Sequence, residues 1–198
     1  MKKLIYLLPV ALLLSLVQFS FRPTSVQTHK VDVSQSSIGW KAYKVTGEHT
    51  GLVNLKSGEL KFNGNKLTGG SFSVDVTSIT CTDMTGEYAT KLVNHLKSED
   101  FFAAATHPTA KFEITNAIHQ GGELYKIVGN LTIKNITKPV RFNAVVKDEM
   151  GTKTANAQIK IDRADYDVKY GSGAFFADLG DKTIYDEFDL NVKLVTKK

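Results

Sequence analysis

From Val31 onward, apolar and polar residues alternate with a period of two, the pattern of strands that bury one face and wet the other. In residues 71–77, Phe72, Val74 and Val76 oppose Ser71, Ser73, Asp75 and Thr77. In 111–118, Phe112, Ile114 and Ile118 share one parity, and Lys111, Glu113 and Thr115 take the other. The same split sets the apolar parity of 123–134 (Tyr125, Ile127, Leu131, Ile133) and of 140–147 (Val140, Phe142, Ala144, Val146). It continues through 155–162 (Ala155, Ala157, Ile159, Ile161) and 187–194 (Phe188, Leu190, Val192, Leu194). Earlier candidates are 31–45 and 49–62, the second broken at Ser57-Gly58. Turn residues separate the runs: Asn63-Gly64-Asn65, Gly121-Gly122, Asn135 to Pro139, and Met150-Gly151. About eight strands at hairpin spacing predict an all-β, antiparallel barrel or sandwich. Helices do not alternate with the strands, which argues against a parallel α/β fold.

One helix interrupts the pattern. Residues 86–97 place Tyr88, Leu92, Val93 and Leu96 at helical spacing, so the helix is predicted to pack against the sheet. A short turn is predicted where Ser98-Glu99-Asp100 leads into Phe101-Phe102. Residues 161–182 lack clean alternation and set Tyr166, Tyr170, Phe175 and Phe176 among Arg163 and several aspartates. Such an aromatic, glycine-containing loop reads as a lid or as a plug at one barrel end. Eight strands make a barrel just wide enough to be filled by side chains or to hold one slender ligand. The inward positions Gly129, Ala144, Ala155 and Ala157 are small, which suits either an open lumen or a taper between larger neighbours.

Charge changes the picture mainly at the N-terminus. The chain carries a formal +5, but Lys2, Lys3 and Arg22 lie in residues 1–22, which hold no acid. The remainder is close to neutral and has no basic run, so nucleic acid is not an expected partner. Lys2 and Lys3 precede an apolar stretch from Leu4 to Val17, a charged n-region followed by an h-region. We therefore expect a signal peptide over 1–21, a polar linker over 22–30, a working domain over 31–198, and export to the periplasm or the medium. No A-x-A pattern marks the cleavage site. Pro9, Ser15, Gln18 and Ser20 make the run up to Phe21 marginal for spanning, with an uncleaved anchor as the alternative.

Candidate chemistry is sparse. Cys81 is the only cysteine, so no internal disulfide forms, and it is expected as a small residue near a strand end. The histidines form no H-x-H, H-E-x-x-H or Cys/His cluster, so no metal site is expected. His49 and His95 are the two worth testing, against the simpler expectation of hydrogen-bonded structural histidines. Asp162, Asp165 and Asp167 read as solvated strand-end acids rather than a glycosidase pair. Gly171-Ser172-Gly173 lacks the Lys-Ser/Thr of a phosphate loop, and there is no G-x-S-x-G. No enzymatic activity and no cofactor are expected.

Two stretches carry a resemblance. Residues 95–112 (HLKSEDFFAAATHPTAKF) resemble the signature of the YceI-like family, with His-Leu, a Ser, Asp-Phe-Phe and a Pro before a strand Phe. Residues 129–140 (GNLTIKNITKPV) resemble its second signature. The usual Ser-His-Ser start is here Ser34-Gln35-Ser36. The resemblance runs from about Val31 to Leu194. It implies an exported, lipocalin-like, eight-stranded antiparallel barrel with a short helix packed beside it. It also implies a lumen that holds a polyisoprenoid chain or the tail of an isoprenoid quinone, and no catalytic residues to carry over. Parity then chooses the lumen candidates: Trp40, Phe72, Phe112, Ile114, Tyr125, Leu131, Ile133, Phe142, Ala144, Ala157, Ile159 and Leu190, with Phe175 and Phe176 from the loop. The implied partner is an apolar isoprenoid lipid, with membrane contact only transient or through an uncleaved N-terminus. A homodimer is neither required nor excluded. The alternative is a filled barrel acting as a structural or stress-related interaction protein. For the N-terminus the expected outcome is direct: sequencing of the native protein should find residues 1 to about 20 removed, and a chain that begins at Met1 would favour an anchor.

Overall fold

The computed structural model describes residues 25–197, so the expected signal peptide lies outside the described residues. The strands are β1 (Val26–Lys30), β2 (Ser37–Lys44), β3 (Gly47–Asn63), β4 (Lys66–Cys81), β5 (Thr109–Gly121), β6 (Leu124–Ile133), β7 (Ile136–Glu149), β8 (Thr152–Asp162) and β9 (Ile184–Val195). The helix α1 (Gly86–Lys97) lies between β4 and β5. Every pairing is antiparallel. Strands β4 to β9 pair in sequence order, β9 pairs with β2, and β2 pairs with β3. The pairing of β3 with β4 then closes an eight-stranded barrel, the architecture implied by the resemblance.

Residues 26–30, expected as linker, instead form β1, which pairs with residues 59–63 of β3. The expected single run 31–45 is correspondingly broken at 32–36. There Asp32 accepts hydrogen bonds from the Ser34 N–H (3.0 Å), Ser34 Oγ (2.6 Å) and Gln35 Nε2 (2.9 Å). This local capping competes with ladder pairing, which is why alternation alone does not reveal the break.

Bulges explain where parity fails. Between Ile114 and Asn116 the β5–β6 register slips by one residue. Ala117 therefore packs toward the core, and Ile118, expected inside, is exposed. A similar slip between Leu55 and Ser57 moves β3 from Val53 and Leu55 inward to Leu60 and Phe62 inward. In α1, Leu96 is buried and Leu92 packs against the same cluster, but Tyr88 is exposed, so the apolar stripe is narrower than its spacing suggests.

The two barrel ends differ. At one end Leu60, Phe62, Leu67, Tyr125 and Ile127 are buried together, and Tyr125 Oη accepts the Leu67 N–H at 3.3 Å. Lys153, paired with Asp148, lies over the Phe62 ring at 5.0 Å. At the other end α1 and the turn after it pack Leu96, Phe101 and Ala104 against Trp40, Val76, Ile79 and Val168. Trp40 is the chain's single tryptophan. Its partner across the β2–β3 ladder is Gly51, and its Nε1–H donates to the Thr80 carbonyl at 3.1 Å. A Cβ on Gly51 would lie 1.8 Å from Thr80 O and 2.5 Å from the indole. Gly51→Ala should therefore lower the urea midpoint by the equivalent of at least about 2 kcal/mol, because backbone rather than a flexible side chain must move. Tryptophan fluorescence reports that unfolding at the site of the change.

Candidate ligand-binding site

A cavity of about 230 Å³ lies between the two packed ends. For scale, an apolar cavity of about 150 Å³ stays dry and admits benzene. Its lining reaches from Leu60 and Leu67 near the closed end to Ile184 and Tyr185 at the other. Ala42, Ala110, Ala144, Ala155 and Ala157 line it, and these short side chains leave space where larger ones would meet across the barrel. Phe72, Phe112, Phe142, Ile159 and Leu190 point inward yet are only half-buried, since their free surface faces the cavity. The lumen is thus open rather than filled.

Of the lumen candidates, Trp40, Phe72, Phe112, Ile114, Leu131 and Ile133 line this space. So do Phe142, Ala144, Ala157, Ile159 and Leu190. Three do not. Tyr125 is on the inward parity but belongs to the packed closed end, where its hydroxyl satisfies a β4 amide. Phe175 and Phe176 are 45% and 49% exposed, on a loop that turns outward beyond Ser172. The first half of the non-alternating segment behaves as a plug. Tyr166, Val168 and Ser172 are buried, with burial pushing the Tyr166 hydroxyl up to about 12.

Sequence reasoning missed the polar group at this end. Arg163 is 4% exposed and lines the cavity. Its Nε donates to Tyr185 O (3.2 Å), Nη1 to Val168 O (3.0 Å) and Tyr170 O (2.8 Å), and Nη2 to Ile184 O (3.0 Å). Nη2 also makes an ion contact with Asp186 Oδ1 at 3.1 Å, while Asp186 Oδ2 accepts from Ser172 Oγ at 2.9 Å. Burial lowers the guanidinium pKa from its usual value and Asp186 opposes this, so the group stays cationic. The Phe101 ring lies 5.8 Å away. The one signal in the sequence was an arginine inside a segment that lacked strand alternation.

The model of the YceI-like domain matches residues 29–196. The chain belongs to the YceI-like family. A UPF0312 protein of Azotobacter vinelandii is 33% identical over 121 residues, covering 53% of this chain and 62% of that protein. Protein YceI of Escherichia coli O157:H7 is 38% identical over 85 residues, covering 40% of this chain and 44% of that one. The match thus spans less than two thirds of these curated relatives. Among solved structures, Burkholderia cenocepacia BcnA superposes with a TM-score of 0.70 at 24% identity, covering 84% of this chain and 99% of that one. A polyisoprenoid binding domain from Saccharophagus degradans gives 0.64 at 14% identity, covering 85% and 97%. At such identities the likeness is one of fold.

The geometry gives the two YceI-like signatures a physical meaning. In the first, Leu96, Phe101, Phe102 and Phe112 line the cavity. His95 Nε2 lies 3.0 Å from Asp100 Oδ2, and its ring meets Phe101 and Tyr170 edge-on at 4.9 and 4.5 Å. In the second, Leu131, Ile133 and Val140 line the cavity. The Phe112 ring lies on Gly129, where a Cβ would approach it to 2.4 Å. This small inward position is therefore roofed by an aromatic ring, while Ala42, Ala110 and Ala157 are only half-buried.

His49 is a structural tie. Its Nδ1 lies 2.8 Å from Asp83 Oδ2, while Asp83 Oδ1 accepts the Thr50 N–H (2.8 Å) and the Cys81 thiol (3.3 Å). Partial burial pushes the Asp83 carboxyl up, but these hydrogen bonds outweigh it and hold the group at about 2. A depressed carboxylate stabilises the fold above its ordinary pKa near 3.8 and loses that contribution as pH falls toward 2. The stability gap between the wild type and Asp83→Asn should therefore be full above about pH 4 and should close between pH 4 and 2 in urea titrations.

Proposed function

We propose that the protein is an exported carrier that holds a long apolar isoprenoid lipid, a polyisoprenoid or an isoprenoid-quinone tail, in its lumen. The observation that carries this reading is the lining: of the side chains around the cavity, only those of Trp40, Arg163 and Tyr185 bear a polar atom, and the rest are hydrocarbon. The Trp40 N–H and the Arg163 guanidinium are already engaged with protein groups. Such a surface offers nothing to a polar metabolite and much to a methyl-branched chain. Each buried methylene contributes about 0.8 kcal/mol, so every carbon the lumen takes up counts against an association cost of about 4–15 kcal/mol. The polyisoprenoid-binding description of the Saccharophagus domain points the same way. Family membership and a wall without an activated nucleophile favour binding over catalysis. Export rests on Lys2, Lys3 and the apolar run after them.

Mass spectrometry of organic extracts from the purified protein tests the proposal, with a stoichiometric prenyl lipid expected and a clean extract opposed to it. Ala157→Leu sharpens the test, since Ala157 lines the cavity and is only half-buried. Added methylenes cost about 1–3 kcal/mol in a packed core but little where they enter open space. Lipid occupancy should fall in this variant, while the denaturant midpoint of delipidated protein stays nearly constant. The comparison uses delipidated protein because bound ligand itself raises apparent stability.

A further inference from the structure

We infer that the Arg163–Asp186 clasp makes the site select prenyl lipids with uncharged head groups and reject prenyl phosphates of the same length. This inference rests on the lipid-carrier reading and adds the head-group chemistry to it. A buried arginine at the end of an apolar cavity looks at first like an anion receptor. Its donors are already engaged, however: four hydrogen bonds to backbone carbonyls and the Asp186 contact occupy the planar fork. Four of the five guanidinium N–H groups are thus spent on backbone carbonyls, and the charge is balanced by Asp186.

The position of the head group follows from the lining. Tyr185, 52% exposed, is the one lining residue that reaches the surface, and Ile184 and Arg163 lie beside it. The Leu60–Leu67 end is shut by packed side chains, so a chain whose tail lies there leaves its head at the Ile184–Tyr185 end of the lining. The segment that reaches this end is rich in acid: residues 162–186 carry Asp162, Asp165, Asp167, Asp178, Asp181 and Asp186 against Arg163, Lys169 and Lys182, with Lys44 of β2 opposite Ile184. Lys169 is paired with Asp167 at 2.6 Å, and Lys134 from the β6–β7 turn is engaged at Asp167 O. From α1 and the turn after it, His95 is paired with Asp100, while Lys97 and Glu99 carry opposite charges. A phosphate there would shed water, meet a guanidinium whose charge Asp186 already balances, and lie near several carboxylates. A hydroxyl or quinone carbonyl carries no charge to desolvate.

The test is competition. Delipidated protein is incubated in mild detergent with equal amounts of a polyprenol and the polyprenyl phosphate of the same chain length. Bound lipid is then quantified by mass spectrometry. At least a tenfold preference for the alcohol is expected. Asp186→Asn should lower the alcohol-to-phosphate ratio several-fold, because it leaves the guanidinium charge without its carboxylate; tryptophan fluorescence confirms that the variant is folded. Equal or preferred binding of the phosphate overturns this inference while leaving the carrier reading intact. An unchanged ratio in folded Asp186→Asn protein overturns the assignment to the clasp. Binding of neither lipid defeats the carrier reading, and this inference falls with it.

Discussion

The pairing of β3 with β4 is the constraint on which the rest of the molecule depends. It closes the ring, so no strand of the barrel keeps a free edge, and it fixes the strand number at eight. Closure also dictates an interior of set width that something must occupy. β3 and β4 are the longest strands, and β3 meets β4 through register slips at Leu52/Asn54, Leu55/Ser57 and Lys61/Phe62. Those slips let one strand run along two parts of the wall, carrying Val53 and Leu55 inward on one stretch and Leu60 and Phe62 on the next. Gly51 and Gly58 sit where rings press onto the β3 backbone, Trp40 on the first and Phe72 on the second.

Within that fixed interior, side-chain size decides what is packed and what is open. The closed end stacks Phe62, Leu60, Tyr125 and Ile127 to near-complete burial. Beside it, Ala144 lies opposite both Tyr125 and Ala157 across its two ladders, so large meets small on one side and small meets small on the other. The pair of alanines forgoes dispersion contacts that a filled core would make. Stability is given up there in favour of space, and the packed ends compensate for it.

Much of this was legible from parity. Along β6, β7, β8 and β9 the expected apolar residues do face the core, because each strand is uninterrupted over the stretch concerned and the period of two is preserved. Legibility ended where backbone irregularity or local polar chemistry entered. One bulge sent Ile118 outward, and the Asp32 cap split the first strand and hid β1. Tyr125 could not be told from a lumen residue, since parity gives the face of a strand and not the height along the barrel. Phe175 and Phe176 were selected for aromatic character alone, and the chain around them makes a turn that leaves them in solvent. Arg163 lay beyond pattern reading altogether, because its role is set by carbonyls that come together only in three dimensions.

The clasp shows why a charge belongs at this end. Residues 163–172 cannot join a strand ladder, since they fold across the barrel opening, and their carbonyls would otherwise be buried without partners. A guanidinium supplies five donors in one rigid plane, enough to satisfy Val168, Tyr170, Ile184 and Tyr185 and still meet Asp186. Lysine could reach at most three acceptors from a single point. An apolar residue would leave several carbonyls unpaired at about 1–3 kcal/mol each. Burying the cation is costly alone, but here it replaces water for four backbone groups at once. The same bonds that make Arg163 an effective structural clasp leave it little to offer a ligand, so the cavity keeps its hydrocarbon character up to this end.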